Sequence, residues 1–127
     1  MTAPPVIAIV DDDASVRQAM GQLVRSFDFA VELFGSGQEL LRAASLDRLS
    51  CVIADVQMPG MDGFALCEAL RERNLGVPVI FMTAFARAGH EQRAQAMGAA
   101  CFLSKPVRDT DMIRCIECAL QSPRRGS

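Results

Sequence analysis

Five short apolar runs, separated by segments with helical patterning, constrain the fold of this 127-residue chain most strongly. In most of these runs the apolar residues are continuous rather than alternating with polar ones, which is typical of strands covered on both faces in a parallel sheet. The predicted strands are Val6–Val10, Phe29–Phe34, Val52–Ala54, Val77–Met82 and Cys101–Leu103. Their alternation with helices predicts βαβ units with right-handed crossovers.

Apolar residues at helical spacing predict five helices between and after these strands. The positions that carry this spacing are, helix by helix, Val16, Met20, Leu23, Val24 and Phe27; Leu40 and Leu41; Phe64, Cys67 and Leu70; a weaker, mostly polar segment over 88–97; and Met112, Ile113, Ile116, Ala119 and Leu120. Ser15 with Gln18 fits the capping-box pattern at the start of the first helix. Ser36 with Glu39 repeats that pattern before the second helix.

This alternation predicts an α/β fold, namely a doubly wound (βα)5 flavodoxin-like three-layer sandwich with a five-stranded parallel sheet in the order 2-1-3-4-5. A chain of 127 residues fits one compact domain, and its hydrophobic content of 50% is sufficient for a core. We expect the domain to occupy residues 1–122 and residues 123–127 to form a flexible tail.

The charge and hydropathy of the chain exclude some classes of partner. A net charge of -2 gives no electrostatic reason to expect that this domain binds nucleic acid or a membrane surface. No cationic leader is visible, and no apolar run approaches the roughly 20 residues that a membrane-spanning helix needs. We therefore expect a soluble, cytoplasmic protein.

The five cysteines are odd in number and scattered, which does not fit a disulfide framework. Cys51 and Cys101 begin apolar runs and are expected to be small buried apolar side chains. Cys115 and Cys118 match C-x-x-C, but they lie inside a helical pattern, and no second Cys/His pair completes a metal site. We expect thiols with a packing role in a reducing compartment.

Polar residues of particular kinds follow four of the five predicted strands. Asp11 and Asp12 follow the first strand, Asp55 the third, Thr83 the fourth and Lys105 the fifth. The carboxyl ends of parallel strands meet at one edge of the sheet, and in the order 2-1-3-4-5 the first and third strands are neighbours there. We therefore expect the three carboxylates to share one crevice.

Such a crevice has a definite chemistry. Crowded carboxylates repel each other unless a cation joins them, and hard oxygen ligands around an open site suit Mg²⁺. A lysine can pair with one acid or hold a phosphoryl oxygen, and a threonine hydroxyl completes a polar pocket suited to phosphoryl transfer to an aspartate. Asp55 alone could equally cap the turn that begins at Pro59. The convergence of the other groups favours the functional interpretation.

From Val6 to Leu120 the chain resembles the receiver domains of two-component response regulators. The motifs that carry this resemblance are the acidic cluster after the first strand, Asp55 with Met58-Pro59 and Gly63, Thr83-Ala84, and Lys105-Pro106. Residues 61–63 and 77–84 also resemble receivers that often precede helix-turn-helix output domains. The resemblance implies a phosphoprotein that takes part in phosphorelay signal transduction.

The resemblance implies that Asp55 is the phosphoacceptor, modified to 4-aspartylphosphate. It implies that Mg²⁺, or alternatively Mn²⁺, is bound by Asp11, Asp12, Asp55 and the backbone carbonyl of Gln57. Of the two flanking acids, Asp12 is expected to bind the metal directly and Asp11 through water. Gln57 and Phe85 occupy positions that govern access of the attacking water in receivers, so they bear on the lifetime of the phosphoryl group.

On the opposite side of the crevice, the resemblance implies that Thr83 and Lys105 contact the phosphoryl group. Phe102 corresponds to the switch aromatic, which moves inward with Thr83, and a cis peptide bond is implied before Pro106. The implied donor is a sensor histidine kinase or a phosphotransfer protein. The face formed by the fourth helix, fifth strand and fifth helix is the implied homodimer interface. The domain would be a phosphoacceptor rather than an enzyme, although it would catalyse its own phosphotransfer and dephosphorylation.

Two alternatives remain open from the sequence. Residues 11–16 fit the D-x-D-x-[ST]-[VL] pattern of haloacid-dehalogenase-like phosphohydrolases, in which Asp11 would be the nucleophile and Asp13 the acid/base. Against this alternative, the chain is short and has no cap insertion. A degenerate receiver that acts only as an interaction module is the second alternative. The retention of all the key groups argues against it.

Overall fold

The computed structural model describes residues 4–44 and 46–121. A five-stranded parallel sheet in the order β2-β1-β3-β4-β5 lies at its centre, which confirms the predicted topology. The strands are β1 Val6–Val10, β2 Ala30–Phe34, β3 Cys51–Asp55, β4 Val79–Thr83 and β5 Cys101–Ser104. Every residue of β3 and β4 is buried, because these strands lie inside the sheet with helices over both faces. Their continuous apolar runs reflect this burial.

In the part of the chain that the structure describes, five helices cover the sheet, together with a 3-10 turn at Leu46–Arg48. The helices are α1 Ala14–Arg25, α2 Gly37–Leu41, α3 Gly63–Glu72, α4 His90–Ala96 and α5 Asp109–Gln121. The first helix is shorter than its apolar pattern predicted, since it ends at Arg25 and Phe27 is 47% exposed. The predicted tail, residues 123–127, lies outside the described residues.

The start of α1 differs from the predicted capping box. Asp13 is the N-cap, and its Oδ1 accepts hydrogen bonds from the backbone N–H groups of Ser15 at 2.9 Å and Val16 at 3.2 Å. A carboxylate here also interacts favourably with the positive end of the helix dipole. At α2 the predicted cap is confirmed, because Ser36 Oγ accepts the N–H of Glu39 at 3.2 Å.

The sheet separates two apolar cores. On one face α2, α3 and α4 pack over the sheet around Leu40, Phe64 and Ala94. On the other face α1 and α5 pack around Val24 and Ile116. Burial of both faces fixes the strand register, because a slip by one residue would exchange the faces of every side chain. Among the described residues, no helix combines the length and the apolar character needed to cross a membrane.

The cysteines depart from the expectation of purely packing thiols. Cys101 and Cys115 form a disulfide that joins β5 to α5. Cys101 is only partly buried, whereas Cys115 is largely buried. Cys51 agrees with its prediction, since it lies fully buried in β3 and burial raises the pKa of its thiol to about 12. The expectation is therefore wrong for Cys101 and Cys115, and Cys118 is exposed instead of packed in the core.

Candidate functional site

The register of β1 and β3 places two carboxylates side by side. Val10 pairs with Ala54, so Asp11 and Asp55, each one residue further along, emerge together at the carboxyl edge of the sheet. Asp11 is fully buried and Asp55 is 7% exposed. Two adjacent buried carboxylates require compensation by a cation or by hydrogen-bond donors.

Lys105, which follows the edge strand β5, supplies the compensating positive charge. It follows β5 directly, and its Nζ lies 2.9 Å from Asp11 Oδ2 and 2.7 Å from Asp55 Oδ2. Its side chain is 19% exposed. Burial acts to lower the pKa of Lys105, but the hydrogen bonds and negative charges of Asp55 and Asp11 outweigh it, so the pKa lies above its ordinary value. The lysine is held in its charged form.

Backbone N–H groups fix the remaining oxygen of each acid. Asp11 Oδ1 accepts the N–H of Asp13, and Asp55 Oδ1 accepts the N–H of Gln57, both at 2.9 Å. Each carboxylate therefore has one oxygen on the backbone and the other on Lys105. This arrangement orients both acids without any contribution from an exposed side chain.

Asp12 completes an acidic group with these two residues. Carboxylate oxygens of Asp11, Asp12 and Asp55 all lie within 4.8 Å of one another, and Asp12 is exposed. Three hard oxygen donors of this kind, with one open to solvent, fit a Mg²⁺ ion that keeps several waters. The third acid of the run does not join them, because the Asp13 carboxylate caps α1. We refer below to Asp11, Asp12, Asp55 and Lys105 as the acidic pocket.

Thr83 lies at the carboxyl end of the neighbouring strand, β4. Its side chain is buried, and its Oγ1 accepts the N–H of Phe85 at 3.2 Å. Its carbonyl oxygen accepts the N–H of Lys105 at 2.8 Å, so the end of β4 is tied directly to the lysine. Phe85, in contrast, is 72% exposed. The peptide bond between Lys105 and Pro106 is cis, as the resemblance implied.

Phe102 lies apart from the acidic pocket, within β5. It pairs with Phe81 and is partly buried against the core on the α2–α4 face. Its neighbours Cys101 and Leu103 pack against the other core, on the α1–α5 face. The alternation of the strand therefore places the predicted switch aromatic on the opposite face from the disulfide.

Gly63 and Arg17 support the site, although the sequence alone assigned neither of them a structural role. A Cβ on Gly63 would lie 2.6 Å from the carbonyl oxygen of Asp55 and 3.1 Å from Cα of Val56, so glycine is required where α3 begins against the end of β3. Arg17 Nη1 donates a 2.7 Å hydrogen bond to the carbonyl oxygen of Asp11. The motif indicated Gly63 by its position, whereas nothing in the sequence distinguished Arg17.

Known proteins are similar to this chain over nearly its whole length. Residues 7–117 match the sequence profile of the response regulator receiver domain. The chain is 34% identical over 120 residues to nodulation protein W of Bradyrhizobium diazoefficiens, covering 94% of this chain and 53% of that protein. It is 34% identical over 121 residues to transcriptional regulatory protein FixJ of the same organism, covering 95% and 59%.

The fold is also similar to that of solved receiver structures. A response regulator receiver protein from Burkholderia phymatum, solved by crystallography, has a TM-score of 0.80 and 40% sequence identity to this chain, and the similarity covers 95% of this chain and 98% of that one. The chain spans little more than half the length of the curated relatives named above. The profile, the identity and the strand order agree. The chain therefore belongs to the response regulator receiver domain family, whose members are phosphoacceptor signalling domains of two-component systems.

Proposed function

We propose that Asp55 accepts a phosphoryl group from the phosphohistidine of a sensor histidine kinase or phosphotransfer protein. The observation that carries this proposal is the position of Asp55 at the end of β3, with Oδ1 on the N–H of Gln57 and Oδ2 on Lys105. Asp11 makes the same kinds of contact but is fully buried, whereas Asp55 retains some exposure. Of the two acids that Lys105 contacts, Asp55 is therefore the one that a donor can reach.

In the transfer, a carboxylate oxygen of Asp55 forms a bond to phosphorus as the bond between phosphorus and the donor's imidazole nitrogen breaks. The imidazole leaves with the electron pair of that bond, and the product is 4-aspartylphosphate. Lys105 then has a phosphoryl oxygen to contact in place of the modified carboxylate oxygen. Because the pocket itself positions and neutralises the reacting groups, we propose that it promotes the transfer without further catalytic residues.

The donor set supports a divalent metal at the same place. Asp11, Asp12, Asp55 and the backbone carbonyl of Gln57 would hold Mg²⁺, or Mn²⁺ in its stead, and the metal would supply neutralisation of the phosphoryl charge. We keep the expectation that Asp12 binds directly and Asp11 through water, which agrees with the exposure of Asp12 and the engagement of both Asp11 oxygens.

The proposed response begins at Thr83. Its hydroxyl hydrogen is available to a phosphoryl oxygen, because in the observed hydrogen bond to Phe85 the hydroxyl is the acceptor. Movement of Thr83 toward the phosphoryl group would let Phe102 pack further inward, and the surface formed by α4, β5 and α5 would shift between two states. We propose that a homodimer forms through this surface. The setting proposed for these steps is the cytoplasm.

The phosphohydrolase alternative is not favoured. It needs Asp13 as an acid/base beside the nucleophile Asp11, yet the Asp13 carboxylate accepts two N–H groups as the cap of α1. The interaction-module alternative is disfavoured by the intact acidic pocket. We also propose that the switch controls transcription, because the name of one relative, transcriptional regulatory protein FixJ, states that role.

Acetyl phosphate with Mg²⁺ tests the phosphoacceptor directly. After the reaction, borohydride reduction of the acyl phosphate and peptide mass spectrometry should place the label on Asp55, and chelation of the metal should abolish labelling. Asp55→Asn should remove it, whereas the matched control Asp47→Asn, an exposed acid in the 3-10 turn, should leave it unchanged. Label on Asp11, or label that persists in Asp55→Asn, contradicts the proposal.

A further inference from the structure

The disulfide between Cys101 and Cys115 joins two elements of the surface that is proposed to switch. Cys101 is the first residue of β5, Cys115 lies in α5, and their Cα atoms are 6.0 Å apart. This separation is within the range over which two cysteines can be bridged without backbone movement. The same fold can therefore hold the pair either as a disulfide or as two thiols.

The bridge encloses the segment that connects the acidic pocket to this surface. The two cysteines are separated by 14 positions in the sequence. Between them lie Phe102, Lys105 and the first half of α5. Lys105 contacts both Asp11 and Asp55, so the enclosed segment is attached to the acidic pocket shortly after Cys101. A cross-link across this loop restricts the relative movement of β5 and α5.

We propose that Cys101 and Cys115 form a redox-responsive modification site, with hydroperoxides as oxidants and dithiols as reductants. Disulfides in reducing compartments are mostly transient and redox-sensing rather than structural, which suits a single reversible pair. The disulfide form holds β5 to α5 and opposes the repacking that phosphorylation of Asp55 drives. This second part rests on the proposed function, whereas the oxidation itself does not.

The oxidation balances with one peroxide molecule. With hydrogen peroxide as the oxidant, the thiolate of Cys101, the less buried of the two, attacks one oxygen, the O–O bond breaks, and a sulfenic acid and hydroxide form. The hydroxide takes up the proton that the Cys101 thiol released and becomes water. The Cys115 thiol then attacks the sulfenic sulfur, the S–O bond breaks, and a second water leaves. Two thiols are oxidised by two electrons in total, and both peroxide oxygens end as water. A dithiol reverses the reaction through a mixed disulfide.

Counting thiols tests the site without reference to phosphorylation. Fully reduced protein, alkylated after denaturation, should take up five labels, and protein treated with hydrogen peroxide should take up three, because five cysteines less the bonded pair leave three. Peptide mapping should assign the loss to Cys101 and Cys115. In the control variant Cys118→Ser, treatment with peroxide should likewise remove the labels on Cys101 and Cys115. Equal labelling before and after peroxide, or loss of a pair in Cys101→Ser, overturns the site.

Hydrogen exchange tests the coupling in wild-type protein, so that no variant has to fold. Beryllofluoride with Mg²⁺, a phosphoryl mimic, should alter amide exchange in peptides from β5 and α5 of the reduced protein. In the oxidised protein the alteration should be roughly half as large or less, because a cross-linked segment opens less readily. Equal responses in the two redox forms overturn the coupling. A reduced protein that does not respond at all contradicts the proposed function, while the thiol count still stands.

Discussion

The regions on either side of the acidic pocket are held in place in different ways. On the acceptor side, which comprises Asp11, Asp55 and Gly63, both carboxylates have a backbone N–H on one oxygen and Lys105 on the other. On the responder side, which comprises Thr83 to Phe85, α4 and β5, Phe85 is largely exposed and no residue of β5 is fully buried. The helix α4 starts at His90, and its N-cap residue, Gly89, provides no side-chain hydrogen bond to the first turn.

This difference separates two requirements of a phosphorylation switch. Transfer of a phosphoryl group requires that the acceptor and its cation stay in place, because a small misplacement of reacting groups costs much of the rate. A switch requires an element with two packings of similar free energy. Short contacts to backbone atoms meet the first requirement on the acceptor side. On the responder side, β5 is a partly buried edge strand and α4 is a short helix without a side-chain cap, which suits the second requirement.

Lys105→Met should produce the largest effect, because Lys105 is the residue that joins the two sides. The substitution leaves Asp11 and Asp55 adjacent and buried without their cation, and we expect the free energy of unfolding to fall by about 3 kcal/mol near neutral pH. Urea unfolding followed by far-ultraviolet circular dichroism measures it, since the chain has neither Trp nor Tyr. Arg108→Met, which removes an exposed cation, is the control and should change little.

The wild-type protein should show the same interaction in its alkaline titration. The two acids raise the pKa of Lys105 in the folded state above 10.5. A raised pKa means that the lysine stabilises the fold fully below its unfolded pKa, and that this contribution is lost as the pH rises through the folded pKa. Lys105 is the only lysine in the sequence, so ¹³C-lysine labelling gives one side-chain NMR titration. A midpoint at or below 10.5 would show that burial outweighs the acids.

Gly63→Ala should have the next largest effect and should act on the acceptor side alone. The added Cβ meets backbone atoms of Asp55 and Val56, which cannot move aside as a flexible side chain could. We expect a loss of about 1–3 kcal/mol in the free energy of unfolding, together with slower labelling by acetyl phosphate.

Gly89→Ala provides the matched test on the responder side. No atom lies within 4 Å of a Cβ there, but φ is +87°, so the cost of about 1 kcal/mol comes from the left-handed backbone alone. Labelling of Asp55 should be unaffected in this variant. If both variants were equally destabilised and equally slow to react, the two sides would not differ in the way described.

The acceptor side could be predicted from the sequence almost completely, and the reason is physical. Continuous apolar runs identify buried strands, and parallel strands bring their carboxyl ends to one edge. Asp11, Asp55 and Lys105 therefore had to converge once the strand order was given, and they do. The sequence could not show that Asp13 would cap α1, because three adjacent aspartates are equivalent until the backbone turns.

The responder side was less predictable. The Cys101–Cys115 bridge depends on how α5 packs against β5, and a separation of 14 positions contains no signal of that packing. The exposure of Phe27 was also not predicted. Its position fits the helical spacing of the apolar residues in α1, but the helix ends at Arg25. Local patterns thus predict elements and their ends, whereas contacts between a helix and an edge strand follow from tertiary packing.

Thr83→Val should affect stability as little as Gly89→Ala does, and it gives the sharpest test of the division between the two sides. Valine preserves the shape of threonine, but the N–H of Phe85 loses its acceptor, which should cost about 1 kcal/mol. Asp55 should still be labelled by acetyl phosphate, because the acceptor-side contacts remain. Amide NMR shifts of α4 and β5 on addition of beryllofluoride should be lost in this variant and retained in Thr83→Ser, which keeps the hydroxyl. Shifts of wild-type size in Thr83→Val would mean that the responder side senses the phosphoryl group through Lys105 alone, since Lys105 also bonds through its N–H to the end of β4.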